Sequence, residues 1–185
     1  MKLRVTSLAL SCGLVASAAL AQGRTQSCVR VEVSSGQVVG RGSGSSAGPA
    51  TTSLLVANSP RFSATKILDL TFAVLLPPAI GGEHLVELRV FTPDGQLYRS
   101  MAVPFARGAL PGAARAVEGY ARPVPQQALK QVSRGRRLFA AASATLPVGG
   151  TDIVSSGLYG RWRVEAYLDG AEQRCGPVGQ FDLSP

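Results

Sequence analysis

Hydrophobic and polar residues alternate along this chain with a period of two, the mark of half-buried β-strands. Residues 28–33 read Cys-Val-Arg-Val-Glu-Val, with Val29, Val31 and Val33 on one face and Arg30 and Glu32 on the other. Leu54-Leu55-Val56-Ala57 is a short apolar strand. Ile67 to Leu76 is a longer one, with Leu68, Leu70, Phe72, Val74 and Leu76 on one face and Pro77-Pro78 stopping it. From Leu85 to Phe91, Val86, Leu88 and Val90 point inward and Glu87 and Arg89 outward. Thr92-Pro93-Asp94-Gly95 is a turn, because Pro93 presets φ and Gly95 tolerates a positive φ. Gln96 to Phe105 returns as the hairpin partner, and Leu138 to Leu146 is an alanine-rich strand followed by a loop at Gly149-Gly150. Arg161 to Leu168 alternates most clearly, with Trp162, Val164, Ala166 and Leu168 inward. Asp169-Gly170 is a strong hairpin signal, and Gln180 to Leu183 is the last strand. The sole helical hint is Pro125, placed as the first residue of a short helix through Gln126, Ala128, Leu129 and Val132. About seven strands at short intervals predict an all-β sandwich over residues 53–185.

Upstream of that domain the pattern changes twice. Lys2 and Arg4 precede an apolar run from Leu8 to Leu20, and Ala19-Leu20-Ala21 supplies the small-x-small cleavage pattern. Residues 1–21 therefore read as a cleaved signal peptide, with Gln22 as the new N-terminus. As a membrane anchor the run is short of the roughly 20 residues a spanning helix needs. As a lipoprotein leader ending at Cys12, Ala9-Leu10-Ser11-Cys12 places its leucine one position late. After an N-terminal strand segment (22–33), residues 34–52 are rich in Gly and Ser and have too little apolar surface to pack, so a flexible linker is expected. Export predicts a secreted or periplasmic protein with no transmembrane segment after cleavage.

Export also changes the cysteine count. Loss of Cys12 leaves Cys28 and Cys175, and an even pair in an exported chain reads as one disulfide. Two free thiols or intermolecular bridges are the alternatives. Closing so long a loop is worth at most about 5 kcal/mol in the chain-entropy model.

Charge is concentrated in the same way. The whole chain is +8. Without the leader, 17 basic residues face 11 acidic ones, and the surplus of six falls entirely in residues 106–137. That insertion carries Arg107, Arg115, Arg122, Lys130, Arg134, Arg136 and Arg137 against Glu118 alone. Such a segment forms either a solvated loop or a positive rim for an anionic envelope component, such as lipopolysaccharide, acidic polysaccharide, phospholipid headgroups or an acidic protein. Nucleic acid is not expected as a specific partner of an exported chain. The abundance of Arg over Lys matches a GC-rich coding bias, which explains the residue type and not the clustering.

The stretch Gly157-Leu158-Tyr159-Gly160-Arg161-Trp162-Arg163-Val164-Glu165-Ala166-Tyr167-Leu168-Asp169-Gly170 resembles the penultimate strand and last hairpin of bacterial immunoglobulin-like and fibronectin-III-like domains. The resemblance implies a single immunoglobulin-like β-sandwich of about seven antiparallel strands, and with it extracellular binding or scaffolding. The antibody-type Cys…Trp…Cys spacing is absent, since Cys28 precedes the linker.

No motif points to catalysis. Gly44-Ser45-Ser46-Ala47-Gly48 matches a nucleophile elbow and Gly42-x-Gly44-x-x-Ala47 a dinucleotide loop, but both lie in the Gly/Ser tract without the flanking strand and helix that each needs. His84, the only histidine, follows Gly81-Gly82 and reads as a solvated turn residue. Two cysteines and one histidine supply no metal site, and no cofactor is expected. The chain is thus expected to be an exported non-enzyme that binds or scaffolds at the cell envelope. The alternatives are a subunit or chaperone-like partner pairing through an open strand edge, and an exported hydrolase of unrecognised type.

Overall fold

A computed structural model describes residues 28–36 and 59–185. The expected leader, residues 37–52 of the Gly/Ser stretch with the Gly44–Gly48 match, and the expected strand Leu54–Ala57 lie outside the described residues. The strands are β1 (Arg30–Ser35), β2 (Arg61–Ser63), β3 (Asp69–Leu76), β4 (Glu83–Phe91), β5 (Leu97–Ala106), β6 (Ala114–Arg115), β7 (Val124–Pro125), β8 (Gln127–Ala128), β9 (Lys130–Arg134), β10 (Arg137–Pro147), β11 (Gly160–Leu168) and β12 (Gly179–Ser184). One helical turn, α1 (Asp152–Ser155), sits between β10 and β11. The protein is all-β, with two principal sheets ordered β1-β3-β10-β9 and β2-β12-β11-β4-β5-β8 and a small β6-β7 ribbon. Every pairing is antiparallel except β12 with β2 and β5 with β8.

The inner faces of both sheets bury the residues that the alternation selects. Leu70, Phe72, Val74 and Leu76 of β3 share one core with Val86, Leu88 and Val90 of β4, Trp162, Val164 and Ala166 of β11, and Phe181 and Leu183 of β12. Phe181 is its centre: its ring lies 5.7 Å from Phe72 of the other sheet and 6.0 Å from Trp162. Trp162 is fully buried, and its indole N–H donates to the Leu158 carbonyl at 3.0 Å, so no polar atom is stranded. Tyr98 meets Trp162 edge-on at 5.2 Å and donates its hydroxyl to Asp152. Burial, then that carboxylate, push the Tyr98 phenol up to about 12.

The alternation fails where strands begin. Val29 and Leu68 share an apolar row with buried residues in the sequence pattern, yet both are 41% exposed. Each lies just before its strand, where the two-residue period has not started. The helix expected at Pro125 does not form, because residues 124–134 pair as β7, β8 and β9. Val132 sits opposite Phe139 and packs with it, Leu75 and Ala141, a tertiary contact that overrides local helical preference. Asp169 and Gly170 do form a turn, with φ of 53° and 73° and Ala171 N–H donating to the Leu168 carbonyl. The chain then runs on through Cys175 before β12 starts at Gly179, so the connection is longer than a two-residue hairpin.

Cys28 and Cys175 are bonded, with Cα atoms 4.8 Å apart and a sequence separation of 147. Cys28 precedes β1 in one sheet, and Cys175 lies in the β11–β12 connection of the other. Gly176 admits this approach, and Gly179 admits the close packing of β11 against β12. A Cβ on Gly176 would stand 2.8 Å from the Cys28 carbonyl oxygen, and one on Gly179 2.7 Å from Val164 Cγ1. Replacing both Cys28 and Cys175 by serine is expected to lower stability by about 2–5 kcal/mol. Urea unfolding measures this, and alkylation of the native protein without reductant is expected to label neither residue.

Candidate functional site

The basic segment is built into the fold and is not one long loop. It leaves the end of β5, forms the β6–β7 ribbon, and returns as β8, where Gln127 pairs with Phe105 and Ala128 with Ala106. It then crosses to the other sheet as β9, whose residues Lys130–Arg134 pair with Ala141–Arg137. The segment therefore straps together the outer edges of both sheets. Gln127 extends the strap beyond the end of β9: its side-chain amide donates to the Ser143 carbonyl at 2.6 Å and accepts the Ser143 N–H at 3.1 Å. The two bonds fill a ladder position on β10 that no strand reaches.

Of the seven candidate anion-binding residues, two are committed to the fold. The Arg134 guanidinium grips both Glu32 oxygens, with Nη2 at 2.7 Å and Nε at 2.9 Å from Oε2. Glu32 lies on β1, three positions from β9 in sheet order, so the pair spans β3 and β10. Arg30 binds the same carboxylate at 2.6 Å. Burial pushes the Glu32 pKa up, but hydrogen bonds from Arg134 and Arg30 outweigh it and hold the group below its usual 4.5. Arg107 donates to the Pro78 carbonyl. Arg115, Arg122, Lys130, Arg136 and Arg137 are exposed, and none has an ion-pair partner among the described residues. Arg115 and Arg122 belong to the β6–β7 flap, which also presents Leu110 at 75% exposure. Lys130, Arg136 and Arg137 belong to the β9–β10 hairpin.

His84 is not the solvated turn residue expected from its neighbours. It lies in β4, its side chain is 12% exposed, and its ring sits 5.5 Å from that of Phe105. Nδ1 is 2.7 Å from Asp169 Oδ2, and Nε2 is 2.8 Å from the Gly81 carbonyl. Asp169 Oδ1 also accepts the Leu85 N–H at 2.9 Å. A histidine backed by a carboxylate is two-thirds of a hydrolytic triad, but here the nitrogen that would face a nucleophile faces a backbone carbonyl. The cluster pins the start of β4 to the turn after β11.

The outer face of the larger sheet was legible as polar, but its pairings were not. Arg163 lies 4.2 Å over the Phe91 ring and Arg89 4.3 Å over the Tyr167 ring, while Arg89 also binds Glu87 at 2.8 Å. Glu165, Tyr167, Glu172, Gln173, Arg174 and Gly176 line a shallow hollow of about 500 Å³ beside this ladder. Among the described residues, no three His, Cys, Asp or Glu side chains group to hold a metal ion.

Two outcomes test these assignments. Because the folded Glu32 pKa is depressed, its contribution is complete above 4.5 and is lost as pH falls through the folded value. Glu32→Gln is expected to be less stable at neutral pH and to lose less stability on acidification, as read by urea midpoints across pH. Asp169→Gly keeps the positive φ but removes the carboxylate, and is expected to cost about 1–2 kcal/mol. Asp169→Ala is expected to cost more, because alanine is strained at that φ.

Compared with protein-family models, curated proteins and solved structures, the chain matches none.

Proposed function

We propose that this is an exported protein of immunoglobulin-like sandwich build that binds or scaffolds at the cell envelope without catalysing a reaction, and that it engages an anionic partner through the basic segment. The observation that carries this reading is the set of five exposed cations, Arg115, Arg122, Lys130, Arg136 and Arg137, that no carboxylate among the described residues pairs. Two projecting pieces of the segment, the β6–β7 flap and the β9–β10 hairpin, carry them. Exposed cations of this kind attract phosphate and carboxylate groups, at long range and with a strong dependence on salt. The disulfide supports an oxidising compartment. Among the described residues no helix is long and apolar enough to cross a membrane. The engagement of both His84 nitrogens supports the non-catalytic part of the reading.

The test is sedimentation of the protein with envelope membrane fractions and with vesicles containing an anionic phospholipid, across a salt series. Binding is expected at low salt and is expected to fall steeply by about 0.5 M, where the Debye length is only a few ångströms. Arg136→Ser combined with Arg137→Ser is expected to weaken binding several-fold while leaving the unfolding midpoint unchanged. Arg134→Ser is expected to lower stability through Glu32, so it is not a clean binding variant. Absence of binding at low salt, or binding that survives high salt, overturns the reading.

A further inference from the structure

After β5 and Arg107 the chain runs through Gly108-Ala109-Leu110-Pro111-Gly112-Ala113-Ala114, with no charged or polar side chain. Leu110 is 75% exposed, and the Ala113 N–H closes a turn onto its carbonyl at 3.1 Å. Arg107, at the root of this loop, donates to the Pro78 carbonyl and so ties it to the β3–β4 turn. That turn, residues 77–82, reads Pro-Pro-Ala-Ile-Gly-Gly and is also uncharged.

The two loops share one end of the sandwich with the β9–β10 hairpin. Glu83, the first residue of β4, faces Ala106, the last of β5. Leu76, the last of β3, faces Ala140, so the hairpin from Arg134 to Phe139 overhangs the end of β3. Val29 belongs to the same end, because its N–H donates to the Leu75 carbonyl at 2.7 Å. Val29 and Leu138 continue the inward rows of Val31 and Val33 and of Ala140 and Ala142 past the core, at 41% and 45% exposure. Three of the six large hydrophobic side chains exposed among the described residues, Val29, Leu110 and Leu138, thus gather here. Single exposed apolar residues need no explanation, but a gathered set marks a contact surface.

Cations border the set. Lys130, Arg136 and Arg137 are exposed on the hairpin, which the Arg134–Glu32 pair holds in place. The exposed carboxylates at this end are Glu83, and Glu172, which Arg174 of the same connection offsets in charge. Arg115 and Arg122 belong to the part of the strap that turns back along the β5 edge, where the Tyr120 hydroxyl accepts the Ala102 N–H at 2.7 Å.

We infer that this end of the sandwich docks on a bilayer of anionic phospholipid, with Leu110 entering the headgroup layer and Arg136 and Arg137 meeting the phosphates. The inference rests on the anion-binding reading and narrows it to one partner. The exposed aliphatic side chains make that choice. An acidic polysaccharide has no apolar layer to take up a leucine. An acidic protein would need a fitted pocket for each, yet Val29, Leu110 and Leu138 project from three separate elements. A bilayer is deformable and sets anionic groups directly above hydrocarbon, so it accepts both kinds of side chain without matched pockets. Charge supplies most of the attraction, and binding stays sensitive to salt.

The test compares vesicles of phosphatidylglycerol and phosphatidylcholine with a dextran sulfate resin, a polyanion without an apolar layer. Leu110→Ser is expected to weaken vesicle binding about tenfold, the lower end of what burying one leucine side chain gives. It is expected to leave elution from the resin and the urea midpoint unchanged. Arg136→Ser with Arg137→Ser is expected to weaken both kinds of binding. In Leu110→Trp the introduced indole is expected to shift to the blue on vesicles and to be quenched by brominated acyl chains, while the fully buried Trp162 stays unquenched. Leu110→Ser that binds vesicles as the wild type does, an indole that stays unquenched on bound vesicles, or a wild type held by the resin and not by vesicles overturns the bilayer inference and leaves the anion-binding reading standing. A wild type that binds neither overturns both.

Discussion

The fold depends on holding two sheets face to face with almost no helix among the described residues. The Cys28–Cys175 bond meets that constraint where it is most demanding, since β1 is the outermost strand of its sheet and is joined by backbone only to β3. Beside the bond the backbones approach too closely for a side chain at Gly176, whose Cβ would collide with the Cys28 carbonyl, while Gly179 leaves room for the Val164 side chain of the neighbouring strand. With β1 fixed, Val31 and Val33 extend one side of the core beside Val74 and Phe72 of the neighbouring strand. Glu32, on the other face of the same strand, is then placed to meet Arg134. The disulfide and the ion pair secure one strand from its two faces.

This arrangement changes the meaning of the basic segment. Seven cations in one stretch invite a reading as a single surface, but the strap divides them by role. Arg134 and Arg107 complete internal contacts, and Gln127 substitutes for a missing strand beside Ser143. What is left over is a smaller set on two projecting pieces, and only that set is available to a partner. The same strap carries Tyr120 to the edge of β5, so a segment that reads as one insertion closes a sheet edge, bridges two sheets and displays charge.

Much of the architecture was legible from residue pattern. The inward faces of β4 and β11, the turn at Thr92–Gly95, the core position of Trp162 and the pairing of the two cysteines followed from alternation, turn chemistry and an even cysteine count. The strands of the basic segment were not legible, because β6, β7 and β8 are two residues each and too short to show a period. His84 was misread for a related reason. Its covering comes from Phe105 and Asp169, 21 and 85 residues away, and neighbouring glycines do not report on contacts at that distance.

Local pattern, then, determined the elements that bury one face, since alternation is a property of adjacent residues and survives any arrangement of strands. It also determined where the excess charge lies, which is a matter of counting. Tertiary structure alone decided which charges are spent and which remain. Arg134 and Arg136 are two residues apart in the same basic run, yet one is bound to Glu32 and the other is exposed. Nothing in their immediate sequence separates them. The difference comes from a carboxylate on β1, brought near by the stacking order of four strands.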